Sequence, residues 1–168
     1  MNKDTARVQI VQERDLDKSK VEALIDRSFG PGRYAKSAER LREGNQPVAE
    51  LCLVALEGDV LRAAVRFWPI VIGRERGLLL GPLAVDPEHR GRGYGRACMD
   101  QALERASELG YGLVILVGDL PYYQRSGFVR ANGKQVHFPG PVDPNRLLIK
   151  ELVAGTAANA RGEVRRAI

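Results

Sequence analysis

The feature that most constrains this chain is a strand that runs without a break into a glycine-rich turn and then into an amphipathic helix. It stands at Leu83-Ala84-Val85-Asp86-Pro87-Glu88-His89-Arg90-Gly91-Arg92-Gly93-Tyr94-Gly95-Arg96. The first backbone N–H groups of a helix have no partner inside it and point outward, and the helix dipole adds positive potential at that end. Glycines let a bulky anion approach the backbone, and Arg90, Arg92 and Arg96 supply charge-assisted contacts. Together these describe a cradle for phosphate or pyrophosphate, against the plainer reading of a turn that only reverses the chain. The spacing Gly91-Arg92-Gly93-Tyr94-Gly95 does not fit the dinucleotide fingerprint G-x-G-x-x-G. The Gly-Lys-Ser/Thr of a P-loop does not follow either.

The elements around this segment predict a mixed sheet. Val8 to Val11 reads as a first strand, and Asp15 to Phe29 has helical spacing in Leu16, Val21, Leu24, Ile25 and Phe29. A short helix is expected from Ala35 to Arg42. Ala49 to Leu56 and Val60 to Ile72 then form a hairpin around Glu57-Gly58-Asp59. A third strand, Gly77 to Val85, contains Gly81-Pro82, where the missing ladder donor calls for a bulge or an edge. Gly93 to Leu109 is the strongest helix, with Ala97, Cys98, Leu103, Ala106 and Leu109 mostly on one face and Gly110 closing it. Leu113 to Val117 is an apolar strand, Pro121 to Ser126 a short helix, Phe128 to Ala131 a strand start, and Arg146 to Leu152 the last strand expected. Hairpins beside one strand–helix–strand unit make an α+β fold with flanking helices. Residues 1–153 are expected to form the domain, and 154–168, rich in Ala, Gly and Arg, a basic tail that is either weakly helical or disordered.

Composition sets the remaining bounds. A chain of 168 residues fits one domain, and 44% hydrophobic with 28% charged is ordinary for a soluble one. No run of apolar residues is long enough to span a membrane, and the opening MNKDTARVQIVQERD has no apolar signal core, so a cytoplasmic protein is expected. Cys52 and Cys98 each lie in an apolar segment and read as buried thiols. The net charge of +5 admits a nucleic acid or an anionic small ligand; arginines clustered at residues 90–96 and 161–166, with few aromatics between, argue for the ligand.

Beyond the helix and the next strand comes Tyr122-Tyr123-Gln124-Arg125-Ser126-Gly127-Phe128. Arg90-x-x-Gly93-x-Gly95 resembles the R/Q-x-x-G-x-G/A motif of the GNAT N-acetyltransferases, and the second stretch resembles their Y-x-R/K-x-G-F signature. The two occur in the family's order, and the set is similar to that of uncharacterised bacterial members. The resemblance implies the GNAT fold, with a mixed, mostly antiparallel central sheet, and acetyl-CoA as co-substrate without a metal. It implies that Leu83, Ala84 and Val85 pair with pantetheine, the Leu83 amide donating to the thioester oxygen. Gly91, Arg92, Gly93, Tyr94, Gly95 and Arg96 would hold the pyrophosphate, with Arg90 at the motif's first position. Gly81-Pro82 would sit at the family's bulge. Many members carry an asparagine just past the strand matching Leu113 to Val117; this chain has Gly118-Asp119, which puts that contact in doubt.

Transfer from a thioester to an amine needs a neutral amine, a stabilised oxyanion and a protonated leaving thiolate. Tyr123, four residues before the glycine of the G-F pair, is the expected catalytic acid, and Tyr122 reads as a packing residue. With the ordinary phenol pKa of ~10, ionisation of Tyr123 would give a bell-shaped pH profile. No carboxylate lies on the strand Leu78 to Val85, Glu57, Glu75 and His137 read as surface groups, and His89 lies next to the pyrophosphate turn, far from the thioester, so no base is named and a water chain could serve instead. The expected activity is transfer of acetyl from acetyl-CoA to a primary amine, carried by a small molecule or a protein. Alternatives are an acyl-CoA-binding module without turnover and a tRNA-directed acetyltransferase toxin. A homodimer is compatible with the sequence, and no membrane partner is expected.

Overall fold

The computed structural model describes residues 7–30, 32, 36–133 and 135–167. Its strands are β1 (Val8–Gln12), β2 (Leu53–Glu57), β3 (Val60–Ile72), β4 (Glu75–Val85), β5 (Leu113–Val117), β6 (Val129–Arg130), β7 (Val136–His137), β8 (Leu147–Glu151) and β9 (Gly162–Arg166). The helices are α1 (Lys18–Phe29), α2 (Glu39–Arg42), α3 (Tyr94–Glu108), α4 (Leu120–Tyr123) and α5 (Thr156–Asn159). The sheet runs β1-β2-β3-β4-β5-β8-β6, with β9 beside β3 and β7 beside β9. Among the described residues only β4–β5 and β7–β9 pair in parallel, so the sheet is mixed and mostly antiparallel, as expected.

Strand alternation sorts the core onto two faces. Leu53 and Ala55 of β2, Ala63, Val65 and Phe67 of β3, and Val114 and Leu116 of β5 pack under α3. The residues between them turn the other way: Val54 and Ala64, with Ala84 of β4, meet Val21, Leu24 and Ile25 of α1. Leu113 and Ile115 meet a second cluster containing Leu41, Val136 and Val164. A strand covered on both sides reads as an uninterrupted apolar run, which is why Leu113 to Val117 is recognisable without alternation.

Several boundaries differ from expectation. Asp15–Asp17 is a 3-10 turn ahead of α1, and Ala49–Leu51 is a 3-10 turn ahead of β2. A turn buries Leu51 as well as a strand would, so periodicity alone does not separate the two. Ala35, the expected start of the second helix, lies outside the described residues, and within them that helix is α2. On α3 the buried face centres on Cys98, Met99, Ala102, Leu103 and Ala106, while Ala97 is exposed and Leu109 is half-exposed. The Gly110 amide donates to Ser107 and the Tyr111 amide to Ala106, the paired bonds of a Schellman cap. Residues 154–167, expected as a tail, supply α5 and β9. Ile70, Val71 and Ile72 of β3 pair with β9, and Val164 is buried. Among the described residues no helix is long and apolar enough to cross a membrane.

Candidate active site

The bulge expected at Gly81-Pro82 is present. Val65 pairs with Leu83 and Phe67 with Leu80, so two residues of β4 face the single Arg66 of β3. The Trp68 indole N–H donates to the Gly81 carbonyl at 2.6 Å and holds the bulge. β4 pairs with β5 only through Leu78–Val114 and Leu79–Ile115; past the bulge the two strands part. Between them opens a cleft of ≈ 1090 Å³, floored by β4 and closed at its ends by the glycine-rich turn and by the 141–146 loop.

At one end Gly93 adopts the left-handed conformation, φ 82°, ahead of the first turn of α3, and Gly91 has φ 81°. Gly95 is buried for a different reason. A β-carbon there would lie 2.6 Å from the Val85 side chain and 3.3 Å from the Tyr122 hydroxyl, so only glycine lets α3 start this close to β4. The turn is anchored by a charged network. Arg62 bridges Asp86 at 2.9 Å and Glu57 at 3.3 Å, and the Tyr94 hydroxyl donates to Glu57 at 2.8 Å. The Tyr94 hydroxyl and Arg62 hold the Glu57 carboxyl below its ordinary range. The Glu88 amide and Arg62 do the same for Asp86 against the burial that opposes them. Asp86, Glu88 and His89 bring three metal-ligand atoms within 4.8 Å of one another, but Asp86 is already engaged by Arg62 and the Glu88 amide, so the set is a cap and an ion pair.

Most of the residues predicted from the sequence converge here. Leu83, Val85, Arg90, Gly91, Gly93, Tyr94, Gly95, Arg96 and Tyr123 line the cleft. Ala84 does not: its side chain packs into the α1 cluster. Arg92 is exposed outside the lining. Tyr123 sits where β4 and β5 part, edge-on to Phe128 at 5.9 Å, with its ring against Gly118. Burial pushes its phenol well above the ordinary tyrosine range. Glu57, Glu75, His89 and His137 lie outside the lining, so none is placed to take a proton in it. Cys52 and Cys98 are free, buried thiols that burial pushes up to about 11 and about 12, unsuited to nucleophilic work.

Tyr122 corrects the packing reading. It is 42% exposed, and its hydroxyl stands over Gly95. The sequence reading also missed Arg40, Arg42 and Arg146, which line the opposite end of the cleft. They come from a four-residue helix and from loops, where no spacing marks a site. The arrangement as a whole can hold an elongated ligand: an anion at the α3 start, an extended backbone-pairing segment along Leu83 to Val85, and a reacting group at the bulge.

Residues 19–128 match the model of the acetyltransferase (GNAT) family. The chain is 34% identical over 115 residues to the uncharacterised N-acetyltransferase YhbS of Escherichia coli K12, covering 67% of this chain and 68% of that one. Its fold matches the crystal structure of Escherichia coli YhbS in complex with CoA at a TM-score of 0.83 and 27% identity, over 99% of this chain and 93% of that one. A GNAT acetyltransferase from Brucella melitensis, solved with acetyl-CoA, matches at a TM-score of 0.64 and 26% identity, over 85% and 95%. The chain belongs to the GNAT acetyltransferase family.

Proposed function

We propose that the chain is a cytoplasmic acetyl-CoA-dependent N-acetyltransferase that passes acetyl directly to a primary amine. The observation that carries this reading is the continuous cleft from the α3 start, along β4, to the β4–β5 parting beside Tyr123. The Escherichia coli and Brucella melitensis structures, solved with CoA and with acetyl-CoA, support that cofactor here. In this reading Gly91, Gly93, Gly95 and the cations Arg90 and Arg96 hold the pyrophosphate, Arg92 adding only its charge from outside the lining, and Leu83, Ala84 and Val85 offer main-chain groups to the pantetheine arm. The amine lone pair attacks the thioester carbon while the Leu83 amide stabilises the oxyanion. The C–S bond then breaks, Tyr123 gives its proton to the leaving sulfur, and the proton shed by the attacking nitrogen returns through water to restore the phenol. The residues require no metal for these steps.

The test is calorimetric titration with acetyl-CoA, followed by measurement of thiol release over a library of small amines, peptides and aminoacyl-tRNA. Saturable binding with amine-dependent release is expected. Binding without release from any amine would instead indicate an acyl-CoA-binding module, and release with aminoacyl-tRNA alone would indicate the tRNA-directed activity.

A further inference from the structure

In the transfer reading Tyr123 carries the proton, yet among the described residues no hydrogen bond reaches its hydroxyl. Its aim is set by what grips the ring and by what holds the backbone beneath it. The ring is packed by Tyr122, Phe128 and Gly118. The backbone belongs to α4 and to the 3-10 turn Gln124–Ser126 that continues it. A helical unit this short is marginal alone, and its last carbonyls have no partner inside it.

Side chains from two other elements hold that unit. Arg96 Nη2 of α3 donates to the Arg125 carbonyl at 3.2 Å, and Lys150 Nζ of β8 donates to the Ser126 carbonyl. Both put a cation at the C-terminal end of the unit, the favourable sign. A third contact is made by a side chain of the unit itself. The hydroxyl of Ser126, a residue only 7% exposed, donates to Asp100 Oδ1 of α3 at 2.6 Å, and the other oxygen of that carboxylate faces Arg96 Nε at 3.7 Å. The contacts to the carbonyls fix where the unit ends. The contact through Ser126 fixes its rotation about its own axis. Tyr123 and Ser126 are three residues apart, and side chains at that spacing share one face of a helical turn. Turning Ser126 away from Asp100 therefore turns Tyr123 with it.

We infer that Asp100 and Ser126 are positioning residues for the acetyl transfer, their hydrogen bond fixing the helical turn that aims the Tyr123 hydroxyl at the leaving sulfur. The inference rests on the transfer reading and adds to it two residues that do not line the cleft.

The experiment measures kcat at saturating acetyl-CoA with the library amine that gives the fastest thiol release. Ser126→Ala should lower kcat about tenfold to a hundredfold, the upper figure being the cost of a misplacement of about 1 Å, with the Kd for acetyl-CoA unchanged. Asp100→Ala should lower kcat by the same factor. Asp100→Asn keeps an oxygen for the Ser126 hydroxyl and should recover most of the wild-type kcat. In a Tyr123→Phe background Ser126→Ala should lower kcat no further, because both changes act through one proton. A contact that only supported the fold would slow both backgrounds alike. The Asp100 side chain is 49% exposed, so Ser126→Ala leaves its carboxylate to water and strands no buried charge. Asp100→Ala carries the same comparison if Ser126→Ala does not fold.

Wild-type kcat in both Ser126→Ala and Asp100→Ala would overturn the inference and leave the transferase reading intact. So would an equal loss in the Tyr123→Phe background, or an Asp100→Asn variant as slow as Asp100→Ala. Absence of amine-dependent release from the wild type would remove the transferase reading, and this inference with it.

Discussion

The Cδ2–Cε2 edge of the Tyr123 ring packs against Gly118, in the space that a β-carbon at 118 would need. Just past β5 the chain has Gly118-Asp119, and the volume that a side chain at 118 would take is given to the tyrosine. Gly118 does not have a positive φ, so alanine there is opposed by side chains alone, chiefly the ring and next Leu116 Cδ1 at 3.1 Å. Gly118→Ala is expected to displace Tyr123 and lower kcat with acetyl-CoA affinity retained. Tyr123→Phe keeps the ring and loses the proton, and should lower kcat about 10²–10⁴-fold. The double variant should be no slower than Tyr123→Phe alone, because both act through one group. A slow Gly118→Ala beside a fully active Tyr123→Phe would show that the ring's shape matters and its proton does not.

Gly93 and Tyr122 allow the anion-binding end to be tested separately from the chemistry. Gly93→Ala places a side chain at φ 82°, which costs about 1–2 kcal/mol and should weaken acetyl-CoA binding modestly. Gly93→Glu adds a negative charge at the helix start and should abolish binding by calorimetry. Tyr122→Phe removes the hydroxyl above Gly95 and is expected to raise the Kd for acetyl-CoA about threefold to tenfold, the range of one neutral hydrogen bond, leaving kcat unchanged. Equal affinity in wild type and Gly93→Glu would move the pyrophosphate elsewhere.

What could be read from the residues divides along physical lines. α3 and β5 are legible because each buries a long, regular set of side chains, and the Gly81-Pro82 bulge because proline cannot complete a ladder. β7 and β9 are not. β7 has two residues, and β9 buries only Val164 among charged neighbours, a pattern that resembles solvated coil until β3 is in place beside it. The phosphate-binding end is local, a strand, turn and helix contiguous in sequence, and so it was visible. The opposite end is assembled from α2, the 139–146 loop and the end of β5, and Arg42 meets Gly81 only in three dimensions.

Arg66 offers a stability test away from the cleft. Its guanidinium, 12% exposed, meets Glu13 at 2.7 Å and Glu22 at 2.6 Å, tying β3 to the end of β1 and to α1. Against desolvation, Glu13 and Glu22 hold it firmly charged. Glu13 is itself only 6% exposed, so removing the arginine strands a buried carboxylate. Arg66→Ala should cost about 3–5 kcal/mol in urea unfolding, and Arg66→Ala with Glu13→Gln should recover part of it. A loss under about 1 kcal/mol would place the pair with surface ion pairs, which contribute little.

The pH dependence follows from the burial of Tyr123. Burial disfavours the charged phenolate, so its pKa lies above the ordinary value of ~10 and the proton-donating form persists to higher pH. The bell expected for an ordinary phenol is therefore replaced by a rise and a plateau. The rise belongs to the acceptor, since only the neutral amine has a lone pair to attack with, and no carboxylate on β4 is placed to deprotonate it. Measured as kcat/KM over about pH 6 to 10.5, a range reaching past the ordinary phenol value, the rate should climb with the neutral fraction of the amine and then stay level. Changing to an acceptor of lower amine pKa should move the rise to lower pH by the same interval. The Tyr123→Phe variant should keep the rise at the same pH and lower the whole curve. A descending limb near pH ~10 in the wild type, absent from the phenylalanine variant, would mean that Tyr123 titrates as an exposed phenol and that the buried geometry is not the working one.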